Sequence, residues 1–337
     1  MEKKELMKAS VVPKYGTEDS ITIQEVEKPE VKANEILINV HYAPVTPTDL
    51  TSTKKDSFIF KVFSSLIRPK KGIYGEMYVG RVVEVGNDVN DFTVGDFVYG
   101  SNGMKLGTYA EYVVVKDKTV IRKIPKGIDP LNIIALLDGG ITSLPYLSEK
   151  GEIKEGQSIL IIGASGSVGS MGIQIAKHFG AVVTGVCSTN NLELVKDLGC
   201  DYTIDYTTTD YTKSTKTYDI VFDAVGKSSF KQCKNILTKQ GRYMTTVPSP
   251  SAMFKAIFKF KQPHKKELFA ATGLRKPHLK HKDLTYLENL LVNKELTPFI
   301  EKVYDISQMT EAQKHVRSGH KKGNVIVDLT SLQRVYN

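Results

Sequence analysis

The stretch SILIIGASGSVGSMGIQIAKHFGA, Ser158 to Ala181, decides how this chain is read. A short run rich in isoleucine, Ser158 to Ile162, ends in the turn Gly163-Ala164-Ser165-Gly166-Ser167-Val168-Gly169. β-Branched side chains suit a buried, pleated strand. After the turn, Val168, Met171, Gly172, Ile175 and Phe179 recur at helical spacing and predict one buried face. A strand that turns through glycines into a helix lets the backbone approach a ligand closely. The amides and the dipole at the helix start then favour negative charge. In that context the turn reads as a dinucleotide-binding fingerprint in a variant frame. Gly163, Ala164, Ser165, Gly166, Ser167, Val168 and Gly169 are its candidate pyrophosphate-binding residues, with Ala164 standing where G-x-G-x-x-G has its first glycine. The competing reading is a plain strand-to-helix turn.

Working outward, strands and helices alternate: AVVTGVC (181–187), the helix NLELVKDLG (191–199), YTIDY (202–206), YDIVFDAVG (218–226), a helix around Phe230 to Leu237, and GRYMTTV (241–247). That rhythm predicts βαβ units and a parallel sheet. Toward the N-terminus, from Val11 to Ile124, the chain is valine-rich and punctuated by Gly, Asn and Asp, which predicts an all-β region, a small barrel. Between these regions the pattern predicts one helix from about Asp129 and another from Thr142 to Glu149. Past Pro248 the order blurs until the helical stretch HKDLTYLENLLVNKEL (281–296) and the strand KGNVIVDL (322–329).

The second strand of the cofactor unit runs into Ser188, Thr189, Asn190 and Asn191. An acid at that strand end would hydrogen-bond a ribose 2′-hydroxyl. None stands there along the strand, so hydroxyl and amide donors at Ser188, Thr189 and Asn190, joined by Tyr206, favour NADPH, with NADH as the alternative. The same residues also read as a helix N-cap.

The composition is that of an ordinary soluble protein: 337 residues, 41% hydrophobic, 25% charged, enough for about two domains. The charged start MEKKELMKAS is not a signal peptide, and no apolar run approaches the ~20 residues of a membrane helix. Cys187, Cys200 and Cys233 are scattered and odd in number, which predicts reduced thiols and a cytoplasmic protein. The net charge of +9 is local: Ala252 to Asp283 holds nine Lys or Arg against two acids. This segment reads as packing its apolar side while its lysines stay solvated. Peripheral contact with an anionic membrane through 252–282 is the open alternative, and nucleic acid is not the expected partner. The seven histidines form no cluster. No G-x-S-x-G elbow or Ser-His-Asp order supports a hydrolase.

The motifs GASGSVGS with QIAKHFGA, TDL (48–50), GRVVEVGNDVNDFTVGDFVYG, GTYAEYVVV, CSTNNLELVKDLGCDYTIDY, YDIVFDAVG and KELTPFIEKVYDISQMTEAQKHVRSGHKKGNVIV follow one another over some 300 residues. In that order they resemble the zinc-independent, quinone-reductase-like branch of the medium-chain dehydrogenase/reductase superfamily. The resemblance implies an α/β fold with two parts. One is a GroES-like β-barrel catalytic domain built from residues 1–128 and 273–337; the other is a Rossmann NADP-binding domain with a doubly wound parallel sheet, residues 129–272. It also implies a homodimer, and it adds Thr142 and Val225 as cofactor-binding candidates. Zinc-dependent relatives carry a Cys before the D-L pair and a His-Glu pair in G-H-E. Here no Cys stands between Thr46 and Asp49, and Glu76 and Met77 replace His-Glu. Asp138 remains, but one carboxylate is not a site, and SNGMKLG bridges the place of the four-cysteine loop. No zinc is therefore expected. Thr46, before Pro47, stands where the branch usually has Asn and keeps a hydrogen-bonding group.

Without Lewis-acid polarisation, plain carbonyls are hard acceptors. Quinones and α,β-unsaturated carbonyls spread the incoming charge onto a distant oxygen and need only a hydrogen bond or two there. The expected function is metal-free NAD(P)H-dependent reduction of such conjugated carbonyls, with Thr46, Asp49 and Tyr78 as catalytic candidates by position. The rival readings are an NADPH-binding protein of vestigial activity whose basic face meets membrane or RNA, and, further off, a zinc alcohol dehydrogenase.

Overall fold

The structure, a computed structural model, describes residues 4–13, 18–50, 72–247 and 265–333. In chain order its strands are β1 (Leu6–Val11), β2 (Thr22–Glu27), β3 (Glu35–Pro44), β4 (Met77–Val85), β5 (Phe97–Ser101), β6 (Tyr112–Lys116), β7 (Val120–Lys123), β8 (Ser158–Ile162), β9 (Val182–Cys187), β10 (Tyr202–Asp205), β11 (Tyr218–Asp223), β12 (Leu237–Thr245), β13 (Lys266–Leu268), β14 (Ile300–Asp305) and β15 (Asn324–Asp328). The described helices of six residues or more are α1 (Pro130–Pro145), α2 (Ser167–His178), α3 (Leu192–Asp197), α4 (Pro277–Val292) and α5 (Met309–Arg317). None of the described helices is long and apolar enough to cross a membrane.

The chain forms two compact units: Met1–Asp138 with Lys276–His281 and Ile300–Asn337, and Gly139–Arg275 with Lys282–Phe299. The boundaries read from the sequence lie at 128/129 and 272/273; the compact units change at 138/139 within α1, at 275/276, at 281/282 within α4 and at 299/300.

The first unit is a sheet in the order β14-β15-β3-β4-β5-β7, with β6 also on β3. Its organising strand is β3, paired with β4 along one edge and with β6 and then β15 along the other. EILINVHYAP is buried nearly throughout instead of alternating, so side chains on both faces of β3 are covered. Two register shifts against β4, at Leu37/Ile38 and Val40/Tyr42, bend it. Ile36, Ile38, Val40, Val98, Val113 and Val327 form the centre of this core.

The second unit is an all-parallel sheet, β10-β9-β8-β11-β12-β13. Chain order runs outward in opposite directions from β8, so the switch point lies at its carboxyl end, where open α/β sheets bind ligands. SILII is fully apolar beyond its first residue because β8 is central and covered on both faces.

Three expectations need correction. The stretch 129–149 is one helix, not two. Asp129 caps it through the Leu131 amide (2.8 Å), and Pro130 suits the first helical position. Gly139 and Gly140 do not break it: a Cβ at Gly139 would lie 2.4 Å from the Ser167 carbonyl oxygen, so the glycine serves close packing of α1 on α2. Helix α2 is buried over most of its circumference, including Gly169, Ser170, Ile173 and Ala176, while Val168 and Phe179 are only half-buried. The helix near Phe230 ends at Cys233 and tightens to a 310 turn, Lys234–Ile236, so Leu237 already begins β12. The hairpin β1–β2, β13, β14 and α5 had no clear signal, because β2 (TIQEVE) and β14 (IEKVYD) carry charges on exposed faces. Of the basic segment, residues 252–264 lie outside the described residues.

Within the second unit Arg275 ties the chain before α4 to the end of the α1 segment. Its guanidinium donates to Asp283 (2.6 and 3.2 Å) and to Glu149 (2.9 Å). The Asp283 carboxyl is 8% exposed, and burial raises its pKa against the pull of Arg275. Substitution R275M strands that buried carboxylate. It should lower the unfolding free energy by about 3 kcal/mol in urea titration, and R275M/D283L should recover part of the loss.

Candidate functional site

The turn after β8 is built by the residues that flagged it. Gly163 has φ +77°, a left-handed conformation, and a Cβ there would lie 2.5 Å from a Val225 methyl. The amides of Gly163 and Ala164 both donate to the Val186 carbonyl (3.1 and 3.0 Å), which ties the turn to β9. Gly169 lies so close beneath it that a Cβ would fall 2.1 Å from the Gly163 carbonyl oxygen. Gly166 is the N-cap of α2 and has no side chain to cap the first turn. The amides and dipole there favour an anion.

Asn191, absent from the candidate residues, organises the polar groups beside this turn. It is buried at the start of α3, and its amide donates to the hydroxyl oxygens of Ser165 (3.0 Å) and Ser188 (3.2 Å). Each serine accepts from Asn191 and so keeps its own hydroxyl proton to give. The Asn191 Oδ1 is buried with no hydrogen-bond partner among the described residues. The Ser188-to-Asn191 stretch does not act as a side-chain N-cap.

The carboxylate that β9 itself does not supply comes from β10. Parallel pairing sets Asp205 beside Cys187, and Asp205 accepts from the Thr189 hydroxyl at 2.6 Å. It also accepts from the Thr207 amide (2.9 Å) and hydroxyl (2.7 Å). These hydroxyls, Thr189 foremost, hold its pKa below the usual carboxylate range. The expectation of no acid at this strand end is thereby corrected: a sequence scan along one strand does not see the next strand's register. Asn190 and Tyr206 are exposed, and the Tyr206 amide continues the pairing to the Cys187 carbonyl (3.1 Å). Thr142 is half-buried on α1, one residue before Ser143, whose hydroxyl donates to the Val168 carbonyl (2.7 Å).

Asp223, at the end of β11, is fully buried and was missed. One carboxyl oxygen accepts from the amides of Val225, Gly226 and Lys227 (3.2, 2.8 and 3.3 Å). The other accepts from the Ser228 amide (2.8 Å) and the Tyr243 hydroxyl (3.1 Å). This fixes the loop that sets Val225 against Gly163. The signal was present in D-A-V-G, an acid and a glycine just past an apolar strand.

In the first unit the catalytic candidates are only partly brought together. Thr46 and Asp49 meet: the carboxyl of Asp49 accepts from the Thr46 amide (2.9 Å) and hydroxyl (2.8 Å). Tyr109, not anticipated, donates to the same oxygen (2.8 Å) and lies 2.9 Å from the Pro44 carbonyl. All three residues are buried. Burial pushes the Asp49 pKa up to about 6; the three donors pull it down, and the Glu76 carboxylate adds to the rise. Tyr78 stands apart. It is fully buried in the core, its hydroxyl finds no partner among the described residues, and burial pushes its pKa up.

The parallel sheet, switch-point glycine turn and serine pair define a dinucleotide-binding module on a two-unit oxidoreductase. The family model for the alcohol dehydrogenase GroES-like domain matches residues 32–126, and that for zinc-binding dehydrogenase residues 198–327. The chain is 30% identical to the mouse (Mus musculus) protein named "NAD(P)H oxidoreductase RTN4IP1, mitochondrial", over 96% of this chain and 89% of that one. It is 36% identical to an Arabidopsis thaliana NADPH-dependent alkenal/one oxidoreductase, over 65% of this chain and 58% of the other. The structure of the quinone oxidoreductase from Coxiella burnetii superposes with a TM-score of 0.85 at 27% identity, covering 96% of this chain and all of that one. This chain belongs to the medium-chain dehydrogenase/reductase superfamily, in its quinone-oxidoreductase-like branch.

Zinc, named in one of those family descriptions, needs three protein donors, commonly His, Cys or carboxylate. Among the described residues no group of three or more His, Cys, Asp or Glu is placed to hold a metal. Glu76 instead accepts from the Ser101 hydroxyl (2.7 Å). Among the described residues these donors do not assemble a zinc site. The nicotinamide coenzyme that the family implies fits the second unit: a close-approach glycine turn, an uncapped helix start and two serines with protons to donate. Substitution D223N turns an amide NH2 toward backbone N–H donors. We expect a loss of about 2 kcal/mol in stability and at least tenfold weaker NADPH binding by calorimetry.

Proposed function

We propose that this chain is an NAD(P)H-dependent reductase of quinones and α,β-unsaturated carbonyls, that it works without a metal ion, and that NADPH is its preferred coenzyme. The observation that carries the reading is the pair of serines, Ser165 and Ser188, held by Asn191 as hydroxyl donors beside the Gly163–Gly169 turn. When bound, the coenzyme supplies the hydride. The second unit binds and orients it: α2's first turn for the pyrophosphate, Ser165, Ser188, Thr189, Asn190 and Tyr206 for the adenosine side, and Val225 and Thr142 toward the nicotinamide. In the first unit the hydroxyl we carry forward as a catalytic candidate is that of Thr46. The names of the relatives, a quinone oxidoreductase and an alkenal/one oxidoreductase, support this acceptor class.

Asp205 bears on the coenzyme. Its charge is taken up by two threonine hydroxyls and one amide, which softens its repulsion of a 2′-phosphate without removing it. NADPH oxidation followed with a panel of quinones, enones and saturated ketones should show turnover confined to the conjugated acceptors, with a higher kcat/KM for NADPH than for NADH. D205N should raise the NADPH-to-NADH ratio about tenfold, as expected for roughly 1.4 kcal/mol of relieved repulsion. No turnover with any acceptor, together with salt-sensitive binding to anionic vesicles, would overturn the reductase reading.

A further inference from the structure

We propose that Asn191 selects between a phosphate and a hydroxyl at the coenzyme's ribose 2′ position by fixing which way the Ser188 hydroxyl is used; the inference rests on the coenzyme reading above. An ionised 2′-phosphate offers strong acceptor oxygens and no hydrogen to give. A 2′-hydroxyl can give or accept. A serine hydroxyl likewise has one hydrogen to donate and lone pairs with which to accept. The group behind the serine decides which of these is left for a ligand. An amide NH2 can only donate, so a serine in front of it accepts and keeps its hydrogen for the ligand. A carboxylate can only accept, so a hydroxyl in front of it turns its hydrogen inward and shows lone pairs.

Both arrangements stand side by side in the second unit. The Asn191 side chain donates one hydrogen to Ser165 (3.0 Å) and the other to Ser188 (3.2 Å), so both are committed and the amide cannot turn. The Asn191 backbone amide donates to the Ser188 carbonyl (2.9 Å), which fixes the spacing of the two residues. Neither serine hydroxyl has a further partner among the described residues. Ser165 is 8% exposed and is the inner of the pair. Ser188 is half-buried at the end of β9, next to exposed Thr189 and Asn190, and is the one open to a ligand. Thr189 has the opposite backing. Its hydroxyl donates to Asp205 (2.6 Å), as the Thr207 hydroxyl does (2.7 Å). Hydroxyls of the two polarities therefore stand on consecutive residues, Ser188 and Thr189.

The other end of the same amide supports the assignment. Asn191 Oδ1 is buried with no partner among the described residues, and a buried acceptor left unpaired lowers stability. A leucine would fill nearly the same space without that loss. Packing therefore does not account for an asparagine at this position; the two serines do. Charge and polarity act in opposite directions here: Asp205 repels a 2′-phosphate, and the Ser188 hydrogen attracts it. Asn191 is buried and works through Ser188, so it is a positioning residue, and Ser188 is the one that meets the ligand.

The test is calorimetric binding of adenosine 2′,5′-bisphosphate and of 5′-AMP to the full chain at neutral pH. Both carry the adenosine side alone, so neither an acceptor nor turnover is needed. Wild type is compared with N191D, N191A, S188A and S188A/N191D. Wild type should bind the bisphosphate more tightly than AMP, and S188A should lose most of that preference. N191D puts a carboxylate behind Ser188 and should reverse the order, with the bisphosphate about tenfold weaker and AMP about threefold tighter, the sizes of a charged and a neutral hydrogen bond. The gain for AMP separates reversed polarity from added negative charge, which tightens neither nucleotide. That gain should vanish in S188A/N191D, where no hydroxyl remains to turn. N191A frees the Ser188 hydroxyl without reversing it and should weaken the bisphosphate alone. No gain for AMP in N191D, an equal loss for both nucleotides, or a gain that persists in S188A/N191D would overturn the role of Asn191. If N191D does not fold, N191A decides: an unchanged ratio of the two affinities overturns it. Wild type binding neither nucleotide would instead overturn the coenzyme reading itself, and wild type preferring AMP would overturn the preference for NADPH, in each case taking this inference with it.

Discussion

Five hydrogen-bond donors converge on the carboxyl of Asp223, four of them backbone amides of a single loop. A buried carboxyl tolerates few alternatives to such a shell, because a polar group cut off from water costs more than the bonds that satisfy it return. The loop from Val225 to Ser228 therefore has little choice of path. Val225 is brought against Gly163, Gly163 keeps its left-handed turn, and α2 begins where the sheet order reverses. The ligand-facing edge of the second unit depends on this one anchoring point, which lies outside the glycine motif.

The same competition between burial and hydrogen bonding gives the three aspartates of the two sites different characters. Asp205 is only half-buried and accepts from two hydroxyls and an amide, so its pKa falls. Asp49 has as many donors but is shut away from water, and burial outweighs them. Asp223 has the most donors and the least exposure, and its part is to shape backbone. Residue type alone would have treated all three alike.

The parts of the site legible in the sequence are those made by neighbours along the chain. Gly163 to Gly169 could be read as a turn because strand, turn and helix follow each other directly; Thr46 and Asp49 were named by position alone, and their hydrogen bond was not read. Asp205 escaped because its place beside Thr189 is a matter of register between β9 and β10. Tyr109 reaches Asp49 from sixty residues away, and Asn191 spans from α3 back to Ser165. The split reading of α1 failed for a related reason. Paired glycines look like a helix end until the packing of Gly139 on Ser167 shows why no side chain is tolerated.

The close fit of Gly163 and Val225 constrains how this chain can change over generations. A side chain at 163 would need room that only a smaller residue at 225 could give, yet even then the positive φ at 163 would resist it. Compensating exchange between the two positions is closed. Drift is left to 225 alone, where shrinkage opens a gap beside the turn and growth drives it apart, so the two positions should stay nearly fixed while the residues around them diverge.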